Sequence, residues 1–535
     1  MDTTACDLMG WTPLHYASLR GFEPMVLALI AEGAEMNAQG RDGKAPLHCA
    51  AMAGRLDVVR LLVEAGAVVD IVDAFWTTPL HWAVRKGYES VVQYLWPETS
   101  HKLRDYKGRT ALHLALAGGK IEMVKTLLGQ KPRADTEAKD RNGQAPLHYA
   151  AERGLDNVVE LLVENGADKD IQDRYGETPQ HCAARRGQEI VANFLIKAGA
   201  STEIRNINML TPLHLAVQHG HGGMAKLLLK AGADAEAQSD YGQAPLHLAA
   251  SHNHEDIAKL LLVAGAEKER RDDLGFTPLI HAICYAEEEN MVNLLLGAGA
   301  HIETRDHRAS TPLHFAAQVG HGAIARLLIN AGADQEAQDE KGLTPLNWAA
   351  KKRREATVRV LIDAGVDMEA QDEEGFSPLH SAVKQGDEAT TAMLIHAGAN
   401  KEARNKKGSA PLHSAVEAGK LGTVRLLLHK GADKEAQDGE GMTPLYVAVA
   451  KHQDRYESWL RDHKKAKGAK WDGADFLREN DDDFKEEAAV VELLINAGSD
   501  NDAATLNGLT PRLSAGRSLN PYIRKLLDIE EELEL

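Results

Sequence analysis

Apolar residues in this chain return in a fixed motif. Val58-Val59-x-Leu61-Leu62 and Val158-Val159-x-Leu161-Leu162 have the i, i+3, i+4 spacing of a helix that buries one face. Each motif starts 13 residues after a tetrapeptide of the Thr-Pro-Leu-His type. That tetrapeptide begins at Thr12, Ala45, Thr78, Thr110, Ala145, Thr178, Thr211, Ala244, Thr277, Thr311, Thr344, Ser377, Ala410, Thr443 and Thr510. The intervals are 32 to 35 residues as far as Thr443, and the last is 67. Self-similarity at such a period marks a stacked repeat, not a set of independent domains.

Each unit predicts a pair of helices. Thr at the first position suits an N-cap, and Pro behind it sits at N1, where its missing N–H costs nothing. Small pairs such as Ala150-Ala151 and Ala316-Ala317 follow, and glycines such as Gly54, Gly154 and Gly320 close the helix. Gly66, Gly166, Gly232 and Gly332 end the second helix in the manner of a left-handed C-cap. Between units the D-x-x-G of Asp140 to Gly143 and Asp339 to Gly342 supplies turn chemistry.

With these residues in place the chain resembles the ankyrin repeat family, whose T-P-L-H-x-A signature recurs every 33 residues. The resemblance implies an all-α solenoid of stacked antiparallel helix pairs with projecting β-turn fingers. One pair cannot bury its own apolar face, so each layer depends on its neighbours. About thirty helices are expected, and layers ~10 Å apart give a curved rod of roughly 150 Å contour. Repeats 1–14 occupy residues 1–451, counting only the first helix of repeat 14. A charged insertion follows at 452–485, and residues 486–535 complete repeat 14 and add a C-terminal capping repeat. The units run from 10–39 to 508–535, the fourteenth being 441–502.

Departures from the pattern carry information. Ala45, Ala145, Ala244 and Ala410 stand where a capping Thr is expected. Trp96-Pro97 replaces the usual Gly-Ala, which predicts a stacking fault across 96–109. At the other end of the pattern, the first copy has only Leu8, Met9 and Trp11 to shield it; otherwise it continues a longer assembly. The insertion carries eight basic and nine acidic residues. It reads as an elaborated loop with a short helix around Tyr456–Lys465.

Composition narrows the function. The 535 residues carry 61 basic and 79 acidic side chains, a formal charge of −18. Nucleic acid and anionic membranes select a basic surface, so neither is expected as a partner. Cys6, Cys49, Cys182 and Cys284 have no close spacing and read as free thiols of a reducing compartment. The start of the sequence lacks the basic and apolar regions of a secretory signal, and no stretch nears the ~18 apolar residues of a membrane span. A soluble, monomeric, cytoplasmic protein is expected. The basic run Lys351 to Arg354 leaves the nucleus open as a second location.

Eleven of the 24 histidines occupy the fourth position of the tetrapeptide: His15, His48, His81, His113, His148, His181, His214, His247, His314, His380 and His413. Eleven identical settings are architectural, because a catalytic imidazole needs one special partner. The resemblance gives them the backbone of the finger turns. His219, His221, His252 and His254 lie on one edge but have no completing Asp, Glu or Cys, so no metal site is assigned. No phosphate-binding loop, zincin or nucleophile-elbow motif appears, and no cofactor is implied. The chain reads as non-catalytic.

Partner binding is where the variable positions speak. By the resemblance, the concave groove is lined by finger tips and the last turn of each first helix. The fingers carry Trp11, Phe75, Trp76, Tyr106, Tyr175, Tyr241, Phe276 and Phe376. Helix ends carry Arg85, Lys86, Arg153, Arg185, Arg186, Tyr285, Lys351 and Lys352. Aromatic and Arg side chains are the usual anchors of protein interfaces. The reading is a scaffold that binds protein or peptide partners along this groove. The alternative is the regulatory or targeting portion of a larger enzyme or signalling protein.

Overall fold

The computed structural model describes residues 2–100, 102–285, 288–467, 482–516 and 521–527. Helix pairs repeat throughout, and among the described residues there are thirty α-helices, one short 3-10 turn and no β-strand. The chain divides into two units, Met1–Glu267 and Lys268–Leu535.

The sixth repeat shows how one layer is made. Its inner helix, Pro179–Arg186, starts from an extended Thr178, and its outer helix is Glu189–Lys197. Ala183, Ala184, Val191, Ala192 and Leu195 between the helices are fully or almost fully buried. The finger ahead of it is an Asx turn, in which Asp173 Oδ1 accepts the N–H groups of Tyr175 (2.8 Å) and Glu177 (2.9 Å). Adjacent fingers are stapled: Arg174 N–H donates to Asn142 C=O at 3.0 Å, and Ile207 N–H to Tyr175 C=O at 2.9 Å. The second unit repeats this, as in Glu373 N–H to Lys341 C=O at 2.9 Å.

The recurring histidine joins the layers. His148 Nδ1 accepts Ala145 N–H at 3.1 Å, and its Nε2 lies 2.9 Å from Glu177 C=O on the next finger. His48, His113, His181, His214, His314, His380 and His413 make the same two contacts. Because Nδ1 faces a donor, Nε2 must carry the single proton. In repeat 11 Asn347 does the same job: Oδ1 accepts Thr344 N–H (3.1 Å) and Nδ2 donates to Phe376 C=O (3.3 Å). The Thr cap thus has a lesser role than the sequence suggests. Its hydroxyl accepts the helix N–H at Thr78, Thr178 and Thr211 but makes no such cap bond at Thr12, Thr110 or Thr311. Layers that begin with Ala keep the imidazole bridge.

Two expectations need correction. The fault predicted at 96–109 is local. Trp96 is buried within a 3-10 turn, Trp96–Glu98, and its indole donates to Pro132 C=O at 2.8 Å. The finger staple persists there, Tyr106 N–H to Phe75 C=O at 3.0 Å, while His81 meets the Leu103 carbonyl. The insertion is likewise less of a loop than predicted. The inner helix of repeat 14 runs unbroken as Pro444–Lys467, and the outer one starts early as Asp482–Asn496. At the position where most inner helices end on glycine stands His452, and the next glycine is Gly468, so no glycine stops the helix sooner. His452 is buried, and Glu487, also buried, is bridged by Lys451 (3.1 Å) and Arg455 (2.9 Å). The first turn of the insertion therefore belongs to the packed layer. Residues 468–481, which the loop reading also covers, lie outside the described residues.

At the first repeat Trp11 stacks on His15 (5.7 Å) and meets Tyr16 edge-on (5.3 Å), whereas Leu8 and Met9 stay exposed. Of the three residues expected to shield this copy, Trp11 is the one that packs against its helix.

Gln180 breaks the core pattern. Other layers have Leu at this position, as in Leu147 and Leu213, and all three residues are fully buried. Both polar atoms of the Gln180 side chain lack a hydrogen-bond partner. A buried unsatisfied amide costs roughly 1–3 kcal/mol. Gln180→Leu should stabilise the first unit by about that amount, slowing native-state hydrogen exchange at Ala183 and Ala184 about tenfold. Unchanged exchange would refute the assignment.

Burial also sets a pH dependence. It lowers the imidazoles of His81, His113, His148, His181 and His214 from 6.5 to about 4. Below pH 6.5 the unfolded chain takes up protons that the folded chain refuses until about pH 4, so stability falls as pH drops through that window. Each such histidine contributes up to about 1.4 kcal/mol per pH unit within its cooperative segment. Urea midpoints should fall steadily from pH 7 to pH 5 at constant ionic strength. His148→Asn should flatten the slope, because Asn keeps the bridge and cannot titrate.

Candidate functional site: the groove between fingers and inner helices

Inner-helix residues that face the fingers are locked by the turn they face. Trp82 Nε1 donates to Asp73 Oδ2 (2.9 Å), Tyr149 Oη to Asp140 Oδ2 (2.9 Å), and Trp348 Nε1 to Asp339 Oδ2 (2.8 Å). Each finger aspartate thus holds its own turn with one oxygen and an aromatic ring with the other. The rings in turn carry cations: Lys44 and Arg85 lie 5.2 and 5.4 Å from the Trp82 centroid, and Lys351 and Lys352 lie 5.4 and 5.6 Å from that of Trp348.

In the first unit the structure places Phe75, Tyr106, Tyr175 and Tyr241 on finger tips. Phe75, Tyr175 and Tyr241 expose more than half their surface. Phe75 and Tyr106 touch across adjacent fingers, with centroids 5.9 Å apart, yet both remain exposed. Trp76 is 64% exposed beside them. The staples from Asn142 to Arg174, Tyr175 to Ile207 and Asn208 to Asp240 place Tyr175 and Tyr241 on one continuous row of fingers. Phe276 in the second unit differs, since it packs on Phe315 at 4.9 Å and is local core.

Two of the helix-end arginines are already ion-paired. Arg185 forms an ion pair with the buried Glu177, and Arg186 with Glu152 at 2.6 Å. Arg153 is exposed, as are Arg85 and Lys86 on the inner helix of repeat 3. In the second unit Tyr285, Lys351 and Lys352 are exposed. Sequence reasoning does not single out Trp82, Trp348 or Lys384. Their signal is an aromatic four residues after the first tetrapeptide position and a lysine seven after it.

The edge histidines have a structural task. His221 Nε2 lies 3.0 Å from Arg185 C=O, and at the equivalent place Arg354 Nε donates to Gln318 C=O (3.1 Å) and Arg55 Nε to Leu19 C=O (3.4 Å). A side chain of one layer satisfies a terminal carbonyl of the previous inner helix. Two of the four residues in Lys351 to Arg354 therefore serve the fold, because Arg353 forms the turn that Arg354 follows. Desolvation pushes the thiols of buried Cys49 and half-buried Cys284 up to about 12 and raises that of buried Cys182, which removes thiolate reactivity at neutral pH. Among the described residues no helix is long and apolar enough to cross a membrane.

The family profile described as "Ankyrin repeats (3 copies)" matches residues 1–73 and, in overlapping stretches, 80–469. The chain belongs to the ankyrin repeat family. A 64-residue stretch is 39% identical to diacylglycerol kinase zeta of Rattus norvegicus, covering 12% of this chain and 7% of that protein. A stretch of the same length is 38% identical to the putative E3 ubiquitin-protein ligase XBAT35 of Arabidopsis thaliana, covering 12% of this chain and 14% of that protein. The chain thus spans a small part of the length of these curated relatives.

Arg353 offers a test of the frame around the groove. Positive φ among non-glycine residues occurs at Trp76, Met209 and Ala309 on the fingers and at Asn253 and Arg353 after the inner helices. Most other layers have glycine at both places, for example Gly176 (φ 72°) and Gly386 (φ 72°). A side chain held there costs roughly 1–2 kcal/mol, partly offset by the entropy that glycine loses on folding. Arg353→Gly should raise stability by about 0.5–1 kcal/mol, and Gly386→Ala should lower it by about 1 kcal/mol, both read from thermal or urea unfolding.

Proposed function

We propose that this protein is a non-catalytic interaction scaffold whose finger-side groove holds short segments of protein partners. The observation that carries the reading is the set of exposed aromatics on rigid fingers: Phe75, Trp76, Tyr175 and Tyr241. Aromatic rings presented on a pre-ordered backbone lose little entropy on binding, which is what interface anchors require. Tyr285 and the Lys351–Lys352 pair are the corresponding features of the second unit. The location proposed is the cytoplasm, and the oligomeric state a monomer.

A second reading has its own support. The two matched relatives are a kinase and a putative ligase, each similar to this chain only over 64 residues. On this reading the array is the regulatory or targeting portion of a larger enzyme. Mapping the full-length transcript separates the two, since an adjoining catalytic coding region would favour the second.

The groove is tested by photocrosslinking. p-Benzoylphenylalanine in place of Tyr175 should capture a discrete partner, and a purified segment of it should lose ~2 kcal/mol or more of affinity on Tyr175→Ala with Arg186→Ala. Thermal stability should barely change, because the Arg186–Glu152 pair is exposed and such pairs contribute about 0–1 kcal/mol. Arg185→Ala is the contrasting variant. It leaves the buried Glu177 carboxylate without its cation and should lower stability as well. Unaltered affinity in the double variant would place binding elsewhere.

A further inference from the structure

The second unit contains a hollow of about 320 Å³ between repeats 11 and 12, with Lys351 and Lys384 on its helix side and Glu373 and Glu374 on its finger side. Its origin is a size change in the sequence. Where repeat 11 has Trp348 filling the space beside its finger, repeat 12 has Ser381. The missing ring leaves room, and it also removes a donor. Asp372 keeps Oδ1 on the N–H groups of Glu374 (3.0 Å) and Phe376 (2.8 Å). Its Oδ2 corresponds to the Asp339 oxygen that receives the Trp348 indole, and here no ring N–H reaches it.

The cations differ from those of the first unit. Arg185 and Arg186 have carboxylate partners, but among the described residues Lys341, Lys351, Lys352 and Lys384 form no ion pair. Three of the four are held over rings instead, Lys384 at 4.9 Å from the Phe376 centroid and Lys351 and Lys352 over Trp348. The Trp348 ring is fixed by its bond to Asp339, so the Lys351 and Lys352 ammonium groups gather over it while remaining exposed. The hollow thus offers helix lysines on one side and finger carboxylates, with Lys341 among them, on the other.

We propose that this hollow binds an acidic peptide segment of a protein partner in which carboxylates flank one basic residue. The carboxylates face Lys351 and Lys384 on the helix side, and the basic side chain faces Asp372, Glu373 and Glu374 on the finger side. A uniform polyanion such as RNA meets the acidic finger as a like charge, which selects against it. The inference rests on the groove reading above and names the partner chemistry for one part of that groove.

The test uses the full chain and the labelled peptide fluorescein-Gly-Glu-Glu-Arg-Glu-Glu-Gly, followed by fluorescence anisotropy. Its charge-inverted counterpart Gly-Lys-Lys-Glu-Lys-Lys-Gly and a 12-mer of oligouridylate serve as comparators. The acidic peptide should bind at least tenfold tighter than either comparator, and salt should weaken it. Lys351→Glu with Lys384→Glu should reduce its affinity at least tenfold, with melting temperature as the control. If that pair of reversals disturbs folding, Lys351→Gln with Lys384→Gln should give a smaller loss in the same direction. Equal binding of the inverted peptide, tighter binding of the RNA, or indifference to both lysine pairs would overturn the proposal. Lys259→Gln, on the outer helix Glu255–Val263 and away from the groove, should leave the peptide affinity unchanged. A failure at the lysines while Tyr175 still crosslinks to a partner would remove this site and leave the scaffold reading standing.

Discussion

The bond from an imidazole Nε2 to the carbonyl of the next finger is the constraint from which the rest follows. It fixes the tautomer, because Nδ1 is already taken by the amide at the start of its own helix. It sets where the next finger sits relative to the helix, and thus which inner-helix side chain can meet which finger aspartate. A charged ring cannot do this, since a second N–H would point at the amide donor. Burial of the ring and its neutrality are therefore one requirement. Asn347 confirms the logic from another direction, because an amide offers one acceptor and one donor with nearly the same reach.

Much of this was legible beforehand for a physical reason. A residue type repeated every 33 positions can only be solving a problem that repeats with each layer, so the histidines, glycines and small pairs reveal the frame directly. What periodicity does not decide depends on contacts between positions that vary. Glu152 and Glu177 are visible in the sequence as acids able to pair with Arg186 and Arg185, but the repeat pattern alone does not choose between pairs and an open basic patch, and the structure forms the pairs. The long helix through the start of the insertion is hard to read for a related reason. Charge density resembles a loop signal, while the absence of glycine before Gly468 is the stronger fact, and the buried Glu487 that ties the two helices is far away in sequence.

The candidate groove inherits its character from the same division. The frame holds rings and cations in fixed places, and the variable positions decide whether a cation is satisfied within the chain. In repeat 6 Arg185 and Arg186 are satisfied, which leaves Tyr175 as the exposed feature of that layer. In repeats 11 and 12 the cations are not, because the finger acids and the helix lysines stand on opposite walls of a space that a small Ser381 leaves open.

The net charge is consistent with this once its location is considered. A second ladder uses carboxylates for structure: Glu203 accepts the backbone N–H of Asp234 (3.2 Å), Glu236 that of Glu267 (2.9 Å), Glu303 that of Asp334 (2.8 Å) and Glu402 that of Asp433 (2.8 Å). These glutamates recur at the repeat spacing between each outer helix and the next finger, a regularity as readable as the histidines. Each is a charge-assisted bond to an amide of the following layer. Much of the acidity is therefore part of the frame, and the chain's overall charge of −18 does not dictate the charge of the groove. An acidic protein can present lysines to an acidic partner because its own carboxylates are engaged in holding its layers together.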